Sequence, residues 1–117
     1  MKRDYIDYIN DILGSIDEIA EFIEGMDYDT FAFDKKTRNA VIRSLEVVGE
    51  ASAKIPEDTR ERYPEIPWKY MTGMRNKLIH EYFGIDLEIV WEVSTNEVPP
   101  LKPLLQNVLD DLVHNPE

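Results

Sequence analysis

The chain is 117 residues long, contains no cysteine and carries a formal net charge of −11. At 43% hydrophobic and 32% charged residues it has the composition of one folded domain, 1–117, with enough apolar material for a single core. The lack of thiols excludes disulfides and thiolate metal sites, and the acidic balance argues against broad nucleic-acid binding, which needs many Lys and Arg against phosphates. A small basic site on an acidic body, or a partner with a basic face, fits this balance. The start "MKRDYIDYINDIL" is interrupted by acids and makes no signal-peptide apolar region. No apolar run approaches the ~20 residues of a membrane span. The expectation is a soluble, cytoplasmic protein with no membrane partner.

In chain order, a first helix is expected from about Asp4 to Glu24. Tyr5, Ile9, Ile12, Ile16, Ile19 and Ile23 alternate spacings of four and three, a bundle seam. Gly25 is a plausible stop. A second helix is expected from about Lys35 to Lys54, with Asp34 as N-cap. Val41, Leu45, Val48, Ser52 and Ile55 repeat the seam spacing, while Arg43, Glu46 and Glu50 share the opposite, polar face. That trio reads either as a solvated face with an Arg43–Glu46 ion pair or as a face turned toward a site.

"IPEDTRERYPEIP" holds Pro56, Pro64 and Pro67, a density that breaks long helices. A turn, a short helix and another turn are expected there. Pro67 suits the first turn of a third long helix, predicted to run to about Phe83 and to close at Gly84. Asp86 is the expected cap of a fourth helix, with Ile85 and Val90 placed as a hydrophobic staple. That helix is expected to end near Asn96. "VPP" then opens a fifth, with Leu101, Leu104 or Leu105, Val108 and Leu112 as its stripe. No segment alternates convincingly as a strand. The predicted fold is all-α: an up-down helical bundle of four main helices plus a short extra helix.

The third long helix carries the residues able to do chemistry. On one straight helix, Trp68, Met71, Met74, Leu78, Ile79 and Phe83 cover about half the circumference at about 100° per residue. Arg75 and Tyr82 fall near the middle of that arc, two turns apart. An Arg on a buried stripe requires a carboxylate partner or a partly wet interface. His80 lies about 140° around from Arg75, near Asn76 at i−4. In the last helical turn, carbonyls and the negative dipole end would favour its protonated form. The plain alternatives are a His80 that fills a helix end and a Tyr82 ring packed with its hydroxyl at the surface. Arg75 and His80 point in different directions on one helix, so two copies around a two-fold axis converge on a site more readily than one.

The run Arg75-x-x-x-x-His80-x-Tyr82, within "GMRNKLIHEYFGID", resembles the R-x-x-x-x-H-x-Y signature of HepT-like HEPN-domain proteins, the toxin half of HepT/MntA systems. "IPW", "LEVVGEA" and "VW" resemble the family pattern in the same order. The resemblance implies a dimeric HEPN-like helical bundle and a metal-independent endoribonuclease with no cofactor. Arg75 and His80 would be catalytic, and Asn76 would shape the site. Tyr82 would be adenylylated, and so silenced, by an MntA-like minimal nucleotidyltransferase antitoxin. The residue types suit RNA cleavage by the substrate's own 2′-hydroxyl. That chemistry needs a proton acceptor or donor with a pKa near working pH, which suits a histidine such as His80, and Arg75 offers fixed charge and forked donors to the phosphate. Lys77 and Lys69 are the nearest further RNA-binding candidates. The competing expectation is a non-catalytic helical module that pairs with a nucleotidyltransferase.

Overall fold

The computed structural model describes residues 2–80 and 84–115, with side chains over 5–78 and 84–115. Among the described residues the chain is all-α apart from one two-residue strand pair. Helix α1 spans Lys2–Phe22 and buries Ile9, Ile12, Ile16 and Ile19, the middle of the predicted seam. Gly25 takes a φ of 76°, a left-handed conformation that glycine adopts without a Cβ penalty, and the chain turns there.

A short helix α2, Tyr28–Phe33, follows, which the periodicity does not announce. Six residues are too few for a repeat to show. Asp27 caps it by accepting the Thr30 amide at 2.8 Å. Phe31 anchors it, fully buried with its ring 5.1 Å from that of Trp91.

Helix α3, Lys35–Lys54, has the predicted bounds. Asp34 caps it through the Thr37 amide at 3.0 Å and hydroxyl at 2.8 Å. Val41, Leu45, Val48, Ser52 and Ile55 are all buried, and the Ser52 hydroxyl is satisfied by donating to the Val48 carbonyl at 2.6 Å. Helix α1 packs along α3 and also touches the last helix, while α3 takes the next elements on another face.

The proline-rich stretch forms α4, Glu57–Arg62, as a short helix between turns. The Trp68 indole N–H donates to the Tyr63 carbonyl at 3.0 Å, and the Tyr63 hydroxyl donates to Asp111 Oδ2 at 2.5 Å. These bonds tie this connection to the C-terminal helix.

The third long helix is not continuous. Helix α5, Trp68–Thr72, ends at Gly73, and α6, Met74–Leu78, ends well short of Phe83. Ile79–His80 (β1) pairs antiparallel with Gly84–Ile85 (β2), in the register Ile79 to Ile85 and His80 to Gly84. Two expectations are thereby corrected. Gly84, at φ 75°, belongs to the strand pair rather than closing a helix. The backbone of His80 lies in a strand, so the helix-dipole argument for its protonation does not apply. The predicted helix end at Phe83 lies outside the described residues.

Helix α7, Leu87–Glu92, starts at the predicted cap, with Asp86 Oδ1 accepting the amides of Glu88 and Ile89 at 3.1 and 3.2 Å. Val90 is buried, whereas its expected staple partner Ile85 is exposed. The helix widens into a π-helical turn, Val93–Glu97, whose Val93 carbonyl accepts the Val98 amide at 2.9 Å. Helix α8, Leu101–His114, buries Leu101, Leu105, Val108 and Leu112; of the two candidates at the second stripe position, Leu105 is the core residue and Leu104 is half-buried. Among the described residues no helix is long and apolar enough to cross a membrane.

Three carboxylates link this fold to pH. Backbone amides of Thr30 and Thr37 hold Asp27 and Asp34 below the usual carboxylate range, and the Tyr63 hydroxyl does the same for Asp111. Each binds its proton more weakly in the folded chain than in the unfolded one. Their stabilisation is therefore complete above the unfolded value, about 3.9, and is lost as pH falls through the lower folded values. The melting temperature is expected to fall below about pH 4. Asp34→Asn, which keeps a capping oxygen but cannot titrate, should flatten part of that fall; an unchanged acid limb in Asp34→Asn, measured by circular dichroism, would contradict the assignment.

Candidate active site

The site is built on the close approach of α3 to the joint between α5 and α6. Gly49, in the middle of "LEVVGEA", makes that approach possible. A Cβ there would lie 3.3 Å from the Met71 carbonyl oxygen and 3.4 Å from the Met74 Cβ. Met71 and Met74 on the other side are fully buried. Gly73 closes α5, its amide donating to the Lys69 carbonyl at 3.1 Å, and its own carbonyl accepts the Lys77 amide at 3.1 Å inside α6. Met74 and Leu78 face the core, and Arg75, Asn76 and Lys77 face outward.

Arg75 is therefore exposed rather than centred on a buried stripe, which corrects the helical-wheel reading. The wheel assumed one straight helix from Pro67 to Phe83. With an interruption at Gly73 and a stop at Leu78, angles counted across the whole run do not refer to one axis. Arg75 lines a groove of about 200 Å³ with Glu46, Gly49, Glu50, Ala53 and Thr72. The polar face of α3 carries the expected Arg43–Glu46 ion pair and also borders this groove. Arg43 pairs with Glu46 at 3.8 Å and with Glu50 at 3.5 Å, and both carboxylates also border the groove of Arg75. Among the described residues Arg75 makes no ion pair within 4.0 Å, so these carboxylates flank it without locking it.

The other predicted residues are only partly gathered near this groove. Asn76 is exposed beside Arg75 on α6. Lys69 lines a depression with Arg60 and Trp68 that shares Thr72 with the Arg75 groove. Lys77 points elsewhere, into a depression carrying Asp86, Glu88, Glu92 and Glu97. Its ammonium lies 4.0 Å from Glu97 and 5.4 Å from the centre of the Tyr70 ring. The Tyr70 hydroxyl donates to the same Glu97 carboxylate. Burial, then the bond to Glu97, pushes the Tyr70 phenol well above its ordinary value, so it stays protonated as a donor. This cluster fastens α5 and α6 to the π-helical turn. The backbone of His80 is five residues from Arg75, in β1; its side chain, and the whole of Tyr82, lie outside the described residues.

Residue reasoning did not single out Gly49 or Thr72. Glu46 and Glu50 were visible only as one of two readings of a charged face. A close helix approach depends on what lies opposite, and periodicity in one helix carries no information on that.

The sequence profile of the family described as "Ribonuclease HepT-like" matches residues 12–108, most of the chain. An RNase candidate of Methanocaldococcus jannaschii is 49% identical over 111 residues, covering 95% of this chain and 96% of that protein. A ribonuclease HepT candidate of Thermococcus cleftensis is 48% identical over 102 residues, covering 87% of this chain and 93% of its own length. A second M. jannaschii protein, named as a gamma-glutamylcyclotransferase and RNase candidate, is 40% identical over 115 residues, 98% of this chain but 52% of that protein. No solved structure matches the chain. An all-α fold, the outward-facing arginine groove and a match spanning residues 12–108 lead to one assignment: the chain is a member of the HepT-like family of ribonucleases.

Proposed function

We propose that the protein is a metal-independent endoribonuclease toxin that cuts RNA at a site formed between two copies of the chain. The observation that carries this reading is Arg75, exposed in a groove, at the head of the run Arg75-Asn76-x-x-x-His80-x-Tyr82 in a chain that matches the ribonuclease family over residues 12–108. The single domain 1–117 would act in the cytoplasm as a homodimer.

The reaction needs no group beyond the substrate and these side chains. The ribose 2′-oxygen attacks the adjacent phosphorus, the bond from phosphorus to the 5′-oxygen breaks, and a 2′,3′-cyclic phosphate forms. A base removes the 2′-proton and an acid delivers a proton to the departing 5′-oxygen. His80 suits both tasks because an imidazole can accept and give up a proton near working pH, and a dimer brings two copies of it. Arg75 places fixed charge and directional N–H donors on the non-bridging oxygens as their charge grows. Asn76 holds a phosphate oxygen or orients His80. Lys69, whose depression shares Thr72 with the Arg75 groove, would supply further charge for RNA, whereas Lys77, turned toward Glu97 among four carboxylates, is the weaker candidate.

Silencing would act through Tyr82. A minimal nucleotidyltransferase antitoxin would direct the phenolic oxygen onto the α-phosphorus of ATP, with pyrophosphate leaving. The AMP adds bulk and a negative phosphate two residues from His80, blocking RNA entry and repelling its backbone. Incubation of the protein with the partner enzyme and ATP is expected to add AMP mass to the wild-type chain and none to Tyr82→Phe. Label on Tyr82→Phe would place the modification elsewhere. RNA digestion by the purified chain, and its loss on mutating the motif, tests the central reading and is developed in the Discussion.

A further inference from the structure

The groove of Arg75 does not end at α3. Glu50 forms the divide between it and a second groove of about 200 Å³ between α1 and α3, which is lined by Tyr8, Asp11, Arg43 and Lys54. Arg43, Val47, Glu50 and Lys54 follow one another at spacings of four, three and four, so they form one line along α3. The two cations stand at the ends of that line, separated by roughly 16 Å of helix axis at about 1.5 Å per residue. Lys54 extends over the Tyr8 ring, its ammonium 6.0 Å from the ring centre. Arg43 already counters Glu46 and Glu50, at 3.8 and 3.5 Å, and these are the carboxylates that would otherwise repel a phosphate approaching Arg75.

Neighbouring depressions differ in charge. The one beside Lys77 sets four carboxylates against a single ammonium, and another on α1 contains Asp11 and Glu18 with no cation. On a chain of net charge −11, the α1–α3 groove sets Arg43 and Lys54 against Asp11 and Glu50, so beside the Arg75 groove it is, like the depression of Arg60 and Lys69, a place where cations match the carboxylates.

We propose that the α1–α3 groove is a flanking subsite for single-stranded RNA, in which Arg43 and Lys54 hold backbone phosphates to one side of the bond placed at Arg75. Tyr8 offers a ring against which a base can rest, the usual companion of cations in single-strand grooves. Arg43 has a second effect, since it masks the two carboxylates that the strand must cross. This inference rests on the ribonuclease reading.

The test compares an RNA strand of about twenty nucleotides with one of about three, chosen to exceed and to fall short of a typical single-strand site. Arg43→Ala/Lys54→Ala should lose about tenfold in kcat/KM on the long strand at moderate salt, and its salt slope should shrink by about 1.4, some 0.7 per lost phosphate contact. Cleavage of the short strand should fall much less, by only what the unmasking of Glu46 and Glu50 beside Arg75 costs. Arg43→Gln/Lys54→Gln, which keeps side-chain length, should behave alike and guards against a folding defect. Lys36→Ala/Lys102→Ala, which removes the same charge away from this groove, should leave both strands at wild-type rates. Equal losses on both strands, or none on the long one, would overturn the subsite. If the wild-type chain cleaves neither strand, the ribonuclease reading falls instead. Fluorescence anisotropy of the labelled long strand then decides the groove: about tenfold weaker binding by the double variant supports it, and equal binding overturns it.

Discussion

His80→Ala is expected to abolish RNA cleavage while the thermal melt stays close to that of the wild-type protein. Removing a general acid–base group costs about 10²–10⁴ in rate, and the loss should be larger if His80 serves both proton transfers. Arg75→Ala should lose about 10²–10³, because the charge that develops on the phosphate would lose its fixed counter-charge. Arg75 is exposed and outside the core, so its removal leaves no cavity. Arg75→Lys should recover only part of the activity, since an ammonium restores charge but not the forked donors. Mixing the two inactive variants tests the two-fold site. If Arg75 of one copy works with His80 of the other, random exchange should restore about one quarter of wild-type activity, from the single intact site in each mixed dimer. Full cleavage by His80→Ala would remove this residue from the mechanism. If the wild-type chain is inert on every RNA offered but still captures a nucleotidyltransferase, the binding-module alternative replaces the enzyme.

Gly49→Leu is expected to damage both stability and activity, from a position that supplies no chemical group to the reaction. Its Cβ would stand 3.3 Å from the Met71 carbonyl and 3.4 Å from the Met74 Cβ, tighter than ordinary contact, with the rest of the side chain still to accommodate. Backbone cannot give way as a flexible side chain can, so α3 must part from the α5–α6 joint. Overpacking of this kind costs about 1–3 kcal/mol. Gly49→Ala is the informative companion. It adds the same close Cβ but gains about 1 kcal/mol of helix propensity, so its net effect should be small. Denaturant unfolding measures both. Cleavage assayed where each variant remains folded should fall further for Gly49→Leu than the lost folded fraction explains, because the Arg75 groove is walled by Gly49 itself. A Gly49→Leu protein as stable and as active as wild type would show that the helices do not need this approach.

How much of this was legible beforehand depends on the range of the force involved. The seam of α1, the bounds of α3, the Asp34 and Asp86 caps and the stripe of α8 were readable, because each is a local pattern: a repeat matching a helix, or a side-chain oxygen three residues from an amide. The motif residues were readable as residue types with suitable chemistry. The interruption at Gly73 and the stop at Leu78 were not, because the apolar spacing of Trp68, Met71, Met74 and Leu78 fits one continuous helix as well as two short ones. Met71 and Met74 lie on either side of the break, where α3 comes close at Gly49, and that contact is a tertiary condition.

By itself, the sequence determined that this protein is helical, lacks thiol chemistry, and carries an arginine, a histidine and a tyrosine in a ribonuclease-like order. Those are properties of composition and of local spacing. Only the tertiary structure decided that Arg75 faces solvent beside the carboxylates of α3, that Lys77 is drawn toward Glu97, and that His80 leaves the helix for a strand. The physical reason is that local pattern sets which face of an element is apolar, whereas the element's length, breaks and rotation follow from what it must pack against.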